Sequence, residues 1–227
     1  MVYLLRQLAS VLDPLFVKRR YPILVTSPRL PGLCEENILD AMKKAGLKAI
    51  FSPRLTRLQH ELSAAYAAAG YGLCESFGNS TECSLEEEKL PVRRSVVIVY
   101  NDDALLTQYS PQREAIASYQ PLYYSFADWQ AGSTARAAAP NETTHWRRVR
   151  DAVLKAPKFG EPPYHIDLVI LTGEDGDDPA LLEAVKEMFY EYQSLLPEIY
   201  ADEPLTTGAR GGAEMAFRAQ YDWRKPT

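Results

Sequence analysis

The stretch Ile166-Asp167-Leu168-Val169-Ile170-Leu171-Thr172-Gly173-Glu174-Asp175-Gly176-Asp177-Asp178-Pro179 predicts a strand, a turn and the start of a helix. Its apolar first half is typical of a buried strand, and its glycines and carboxylates are typical of a turn. Asp178 is expected to cap a helix that begins at Pro179, because a carboxylate accepts hydrogen bonds from the free N–H groups of a helix start. Apolar residues then recur on one helical face: Leu181, Leu182, Val185, Met188, Phe189 and Tyr192. A strand followed by an amphipathic helix predicts an α/β architecture.

The same alternation extends upstream and downstream. Ser95–Tyr100 is a continuous apolar strand pattern, and Asn101-Asp102-Asp103 is expected to turn it back as a hairpin through Ala104–Tyr109. Asn141 is a candidate cap for a helix that includes Trp146, Val149 and Val153. A last helix is predicted over Thr207–Phe217.

The first quarter of the chain also alternates between helix and strand patterns. Strands are predicted over Ile23–Thr26 and Lys48–Phe51, with a helix over Ile38–Gly46 between them and another over Arg57–Ala69 after them. Leucines at helical spacing in Met1–Arg20 predict an amphipathic helix, and a targeting peptide is the alternative. The polar segment 75–91 and the small-residue segment 131–140 are expected to be loops.

Composition limits the class of protein. The chain has 227 residues, 46% of them apolar, and a net charge of −5, which fits a globular protein and argues against a nucleic-acid partner. No apolar run approaches the roughly 20 residues of a membrane span. Cys34, Cys74 and Cys83 are an odd, scattered set with no metal-site spacing, so we expect reduced thiols and a cytoplasmic protein.

Three segments resemble the seventy-kilodalton heat-shock chaperone ATPases of the actin-like superfamily, especially their divergent fungal members. Pro22–Gly46 is similar to the strand and helix that precede the family's Ala-Gly-Leu element, here Ala45-Gly46-Leu47. His60–Gly70 resembles its Glu-Pro-Thr-Ala-Ala helix. Leu171-Thr172-Gly173 and Ala209-Arg210-Gly211-Gly212-Ala213-Glu214 resemble its adenosine-motif turn and its final Gly-Ala-Ala helix.

The resemblance implies the actin-like, ribonuclease H-like fold, with mixed sheets flanked by helices. It divides the chain into two incomplete lobes, a lobe I-like region over residues 1–91 and a lobe II-like region over 92–227. The family's opening Asp-x-Gly-Thr hairpin has no counterpart here. Its second phosphate loop is replaced by Asn101-Asp102-Asp103-Ala104, which has no glycine, and its outer nucleotide-clamping subdomain is missing between Tyr109 and Pro163.

The nucleotide-site residues that the resemblance implies each have a plainer alternative. Gly173 and Glu174 would contact adenosine, or they form a capped surface turn. Asp102 and Asp103 would hold Mg²⁺, or they form a hairpin turn that needs no metal. The resemblance implies no definite cofactor, and ATP with Mg²⁺ is the alternative that stays open.

Two further positions match the family. Glu61 corresponds to the glutamate near the catalytic water, although a surface or capping role is the alternative because the phosphate loops have changed. Arg210 would contact an anion, or it is solvated or ion-paired. No GxSxG, HExxH, P-loop or GxGxxG pattern supports another enzyme class.

The first functional hypothesis is therefore a pseudo-ATPase, a non-catalytic interaction scaffold with a protein partner or self-association through the aromatic segment Tyr119–Trp129. The alternatives are a residual ATP-binding protein or weak ATPase, and an accessory protein or repurposed enzyme of a fungal metabolic pathway. A shortened gene would also account for the missing opening hairpin.

Overall fold

The structure is a computed structural model that describes residues 23–28, 34–50, 55, 59–116, 124–158 and 165–221. Within these residues the elements, in chain order, are β1 (Thr26–Ser27), α1 (Glu35–Lys44), β2 (Gln59–His60), α2 (Glu61–Ala68), α3 (Ser80–Lys89), β3 (Arg93–Tyr100), β4 (Leu105–Gln112), β5 (Tyr124–Asp128), α4 (Ser133–Ala138), α5 (Glu142–Lys158), β6 (Leu168–Thr172), α6 (Pro179–Gln193), β7 (Glu198–Tyr200) and α7 (Thr207–Tyr221). The predicted helix over Met1–Arg20 lies outside the described residues.

A mixed five-stranded sheet in the order β5-β4-β3-β6-β7 organises the fold. Strands β3, β4 and β5 form an antiparallel meander, and β6 and β7 run parallel to β3. The central strand β3 is buried on both faces from Ser95 to Tyr100, which explains its continuous apolar sequence. The predicted α/β class, the β3–β4 hairpin and strand β6 are confirmed.

Helices cover both faces of this sheet. On one face, α2 and α7 pack over Val97, Val99 and Leu106. On the other face, α5 and α6 pack over Val96 and Ile98. The Asp178 cap is confirmed, because its side chain accepts a hydrogen bond from the Ala180 N–H at 2.8 Å and Pro179 begins α6.

The first predicted strands are shorter than expected. Strand β1 pairs in parallel with β2, so that Thr26 lies opposite Gln59 and Ser27 opposite His60. Among the described residues, the two predicted strands Ile23–Thr26 and Lys48–Phe51 meet at a single parallel bridge between Ile23 and Ala49, and Phe51 lies outside those residues. Helix α2 begins at Glu61 rather than at Arg57, because Gln59 and His60 are used for pairing.

Both predicted loops contain helix. Segment 75–91 includes α3, whose cap Asn79 accepts hydrogen bonds from the Thr81 and Glu82 N–H groups. Asparagine favours the position before a helix, so Asn79 indicates a helix start. The acidic composition of the segment favoured a loop instead. Segment 131–140 includes the short helix α4, which is docked against the β3–β4 turn.

The prediction of three reduced thiols is wrong for two of them. Cys74 and Cys83 form a disulfide with a Cα–Cα distance of 5.1 Å, and Cys34 is a free, exposed cysteine. Helix α3 causes this, because it folds the chain back over the nine-residue separation. Among the described residues, no helix is long and apolar enough to cross a membrane.

Candidate functional site

The carboxyl ends of the parallel strands β3 and β6 lie side by side, with Val99 opposite Thr172. The turn Asn101–Ala104 follows β3, and the loop Gly173–Asp178 follows β6. Ligands of open α/β sheets bind at such edges, outside the carboxyl ends of the strands. The structure therefore brings Asp102, Gly173 and Glu174 to one edge of the sheet.

Gly173 is required by packing between these two loops. Its φ of +103° favours glycine, and a Cβ atom there would lie 2.4 Å from the Tyr100 carbonyl oxygen. The Asn101 Oδ1 atom accepts a hydrogen bond from the Glu174 N–H at 2.9 Å, and the Tyr100 carbonyl accepts one from the Asp175 N–H at 3.1 Å. The glycine thus allows close approach of protein backbone.

Ser133 joins the two loops. Its Oγ atom lies 3.0 Å from Asp102 Oδ1 and 2.7 Å from Asp175 Oδ2. A hydroxyl has one proton, so it donates to one carboxylate at a time. The Ser133 N–H donates to the Asn101 carbonyl at 3.0 Å, and the Thr134 N–H donates to the Asp102 carbonyl at 3.1 Å. The start of α4 consequently fills the space in front of the β3–β4 turn.

The edge is acidic. Its carboxylates are Asp102, Asp103, Glu174, Asp175, Asp177 and Asp178. Among the described residues, the cation shown in contact with this group is Arg136, whose Nη1 atom lies 2.9 Å from Asp178 Oδ2. Arg136 also pairs with Glu142 at 2.6 Å and lies over the Trp146 ring. One shared arginine leaves the edge strongly negative, which opposes a triphosphate unless a metal bridges the charges.

A buried pair lies behind this edge. The Tyr100 hydroxyl lies 3.1 Å from His145 Nε2, and both side chains are buried. Burial lowers the pKa of His145 and raises the pKa of Tyr100 to about 12. Both groups are therefore neutral near pH 7, and the contact is a neutral hydrogen bond. No local sequence pattern predicts this contact, since the two residues are 45 positions apart.

Glu61 lies away from this edge, in the first turn of α2. Its Oε2 atom accepts a hydrogen bond from Gln108 Nε2 at 3.2 Å, in the middle of β4. Burial raises the pKa of this carboxyl, and the Gln108 hydrogen bond partly offsets that effect. The polar row on the same face of β4 continues with Gln112, whose amide donates to Ser63 Oγ at 3.3 Å. The contact shown for Glu61 is thus with mid-strand β4 rather than with the Asp102 turn.

Arg210 belongs to a third cluster, at the start of α7. Its guanidinium pairs with Asp202 at 3.2 Å and with Glu203 at 3.0 Å, and it donates to the Tyr200 hydroxyl at 2.9 Å. The hydrogen bond that the Arg210 guanidinium donates to Asp202 is the largest cause of the raised pKa of Arg210. The ion-paired alternative therefore describes Arg210. The Asp103 carboxylate, by contrast, is exposed and makes no hydrogen bond within the described residues.

The aromatic segment is divided between core and surface. Tyr124 and Phe126 pack against the core, whereas Trp129 is 66% exposed. The remainder of Tyr119–Trp129 before Tyr124 lies outside the described residues. Beside Phe126 is a groove of about 500 Å³ between β5 and helices α4 and α5. Its charged lining residues are Asp128, Arg147, Arg148, Asp151 and Lys155.

A scan against protein-family models finds no match, and a search of curated proteins finds none. A functional proposal therefore has to rest on the contacts of the described residues.

Proposed function

We propose that this chain is a non-catalytic binding protein on an actin-like ATPase scaffold, similar to a heat-shock chaperone ATPase domain whose phosphate crevice is closed. The observation that carries the proposal is Ser133, which contacts both Asp102 and Asp175 across the edge where phosphates would bind. A protein group occupies the position that a nucleotide would need.

The scaffold part of the proposal is supported by a contact between two of the resembling segments. The segments His60–Gly70 and Ala209–Glu214 resemble two different motifs of the family. The first contains α2 and the second lies in α7, and these two helices pack against each other. The approach is close enough that a Cβ on Gly211 would lie 1.7 Å from the Ala64 carbonyl oxygen. The small residues at these positions allow the two helices to approach each other closely.

The closed crevice is supported by its backbone hydrogen bonds. Phosphate sites depend on unpaired N–H groups that point at the ligand. The N–H groups of Gly173, Glu174 and Asp175 all donate within the protein instead. Their acceptors are the Pro204 carbonyl at 3.3 Å, the Asn101 side chain at 2.9 Å and the Tyr100 carbonyl at 3.1 Å. Binding a phosphate here would require these bonds to break.

Isothermal titration of the full chain with ATP, with and without Mg²⁺, tests the proposal. We expect no heat of binding up to millimolar nucleotide, because the N–H donors are occupied and the edge is acidic. Micromolar binding that is lost in Asp102→Ala and kept in Asp103→Ala would overturn it. Asp103 is the matched control because it occupies the same turn without the Ser133 contact.

Residual ATP binding is the second candidate function. It is favoured by the convergence of the Asp102 and Gly173 loops at the carboxyl ends of β3 and β6. Ser133→Ala separates the two candidates, because it removes the hydroxyl group that contacts both loops. Nucleotide binding by Ser133→Ala alone would indicate a crevice that is intact but closed, whereas binding by the unaltered chain favours the second candidate.

The binding role itself is assigned to a protein partner or to self-association. Trp129 is exposed next to the groove, and on an acidic protein the groove carries three cations against two carboxylates. Large exposed aromatic groups beside such concave surfaces are common at contact sites. Sedimentation velocity over a range of concentrations, for the unaltered chain and for Trp129→Ser, distinguishes self-association through this face from a monomer that needs a partner.

A further inference from the structure

Two cysteines and a glutamate, none of which belongs to the edge described above, meet in the interior. Cys83 and Cys74 are 0% and 3% exposed, and Glu87 is 5% exposed. Cys83 and Glu87 lie one turn apart on α3, and Cys83 Sγ is 3.5 Å from Glu87 Oε1. One ligand atom from each of the three residues lies within 4.8 Å of the others.

Once the disulfide is reduced, the three side chains offer two sulfurs and one carboxylate, which are ligand types that Zn²⁺ binds. Zn²⁺ binds thiolate sulfur at about 2.3 Å and carboxylate oxygen at about 2.0–2.2 Å, usually in tetrahedral geometry. Those bond lengths place neighbouring sulfur and oxygen ligands roughly 3.5–3.6 Å apart. The separation of Cys83 and Glu87 agrees with that spacing. Three protein ligands would leave the fourth position to water or another small ligand.

We propose that the reduced chain binds Zn²⁺ through Cys74, Cys83 and Glu87, and that the disulfide is its metal-free form. Two molecules of a monothiol reductant supply two electrons and two protons, so that the disulfide becomes two thiols and the reductant becomes its own disulfide. Zn²⁺ then replaces the two thiol protons, which are released to solvent. The same two sulfurs therefore serve either a covalent bond or a metal ion, and never both.

The surroundings provide positive charge for such a site. Two thiolates and one carboxylate carry three negative charges, one more than Zn²⁺ neutralises. The Arg218 guanidinium donates a hydrogen bond to the Cys74 carbonyl oxygen and is also paired with Glu214 at 2.6 Å. Arg218 belongs to α7, so a metal site here would connect α3 to α7. In known metal sites, residues that surround the ligands change the affinity for the metal.

The test uses the full chain, reduced with a phosphine, desalted without oxygen and titrated with Zn²⁺ against a chromophoric chelator. We expect one equivalent to bind to the reduced chain and none to the chain oxidised with diamide. Glu87→Gln should weaken binding at least about tenfold, since loss of even an indirect ligand contact has an effect of that size. Cys83→Ser should abolish binding, and Cys34→Ser, the matched control, should leave it unchanged.

Equal Zn²⁺ binding by the reduced and oxidised chains would overturn the proposal, and so would loss of binding in Cys34→Ser. The comparison of redox states needs no variant, so it decides the question even where Cys83→Ser fails to fold. Replacing Zn²⁺ with Co²⁺ gives a second readout, because thiolate ligands produce a charge-transfer band that the oxidised chain should lack. None of these outcomes depends on nucleotide binding.

Discussion

At the scale of single residues, burial decides how the polar groups behave. His145 is held next to the Tyr100 hydroxyl in the interior, and burial is the largest cause of its lowered pKa. Glu61 shows the same physics with the opposite sign, because burial raises the pKa of a carboxyl. In both cases the neutral form is favoured by the fold, and this preference has consequences for stability at different pH values.

The chain should lose stability as the pH falls below about 6.5, the ordinary value for histidine. The unfolded chain then binds a proton at residue 145 while the folded chain, with its lowered pKa, does not, and the loss ends once the pH is below the folded pKa. Urea unfolding at about pH 7.5 and about pH 5.5 measures this loss. His145→Gln should reduce the difference between the two pH values.

His165→Gln is the control for this measurement, because the His165 side chain is 45% exposed. It should leave the pH dependence of the unfolding free energy as it is in the unaltered chain. Identical pH dependence in His145→Gln and in the unaltered chain would mean that the buried Tyr100–His145 pair does not titrate as argued.

At the scale of elements, α2 and α7 pack in close contact. Both helices use small residues there, and Gly211 lies against the backbone of α2 at Ala64. The sequence predicted each helix from its own pattern, and in the structure the small residues of each helix lie against a neighbouring helix. Which helix that neighbour is could not be read from either pattern, because it depends on how both pack on the sheet.

Gly211→Ala should destabilise the chain by about 1–3 kcal/mol or more, because the added methyl has no space and the helices must separate. Gly212→Ala is the neighbouring control. Its Cβ would lie 3.5 Å from the Thr26 side chain, an ordinary contact. There the better helix propensity of alanine should keep the change within about 1 kcal/mol and favour stability. Thermal or urea unfolding of both variants measures the difference, and equal effects would contradict the close packing.

Element boundaries were predictable where a cap marks them and were missed where composition dominated. Asp178 and Pro179 identified the start of α6 correctly. Asn79 marks the start of α3 in the same way, but the three glutamates that follow suggested a solvated loop. A helix that is polar over most of its surface is stabilised by the contacts of its few buried residues. Here those residues are Cys83 and Glu87, and Cys83 is bonded to Cys74, which lies outside the helix.

At the scale of the whole molecule, two hydrophobic cores share one sheet. Leu62 belongs to the core on the α2–α7 face, and Leu181 belongs to the core on the α5–α6 face. The first of these cores joins residues from before and after position 92, where the two lobe-like regions were divided. The division of the chain at that position stays a prediction.

We expect the two cores to unfold together, because the same sheet forms one side of each core. Leu62→Ala and Leu181→Ala remove fully buried side chains from opposite faces, and each should lower the unfolding free energy by about 2–5 kcal/mol. Urea unfolding followed by far-ultraviolet circular dichroism and by tryptophan fluorescence should give one transition in each variant. Leu205→Ala, at a side chain that is 70% exposed, is the control and should change little.

Two separate transitions, with each variant shifting only one of them, would show that the cores are independent. That outcome would support a division of the chain into two units and would contradict the shared-sheet argument.

The sequence by itself determined the local structure: the buried strands β3 and β6, the hairpin turn at Asn101–Ala104, the capped helix after Asp178 and the α/β class. These depend on periodicity and on capping, which act over a few neighbouring residues. Tertiary structure alone decided that Ser133 fills the edge beside Asp102, that His145 meets Tyr100 and that Cys74, Cys83 and Glu87 converge. The physical reason is that such contacts join residues on different elements, and their geometry is set by how those elements pack on the shared sheet.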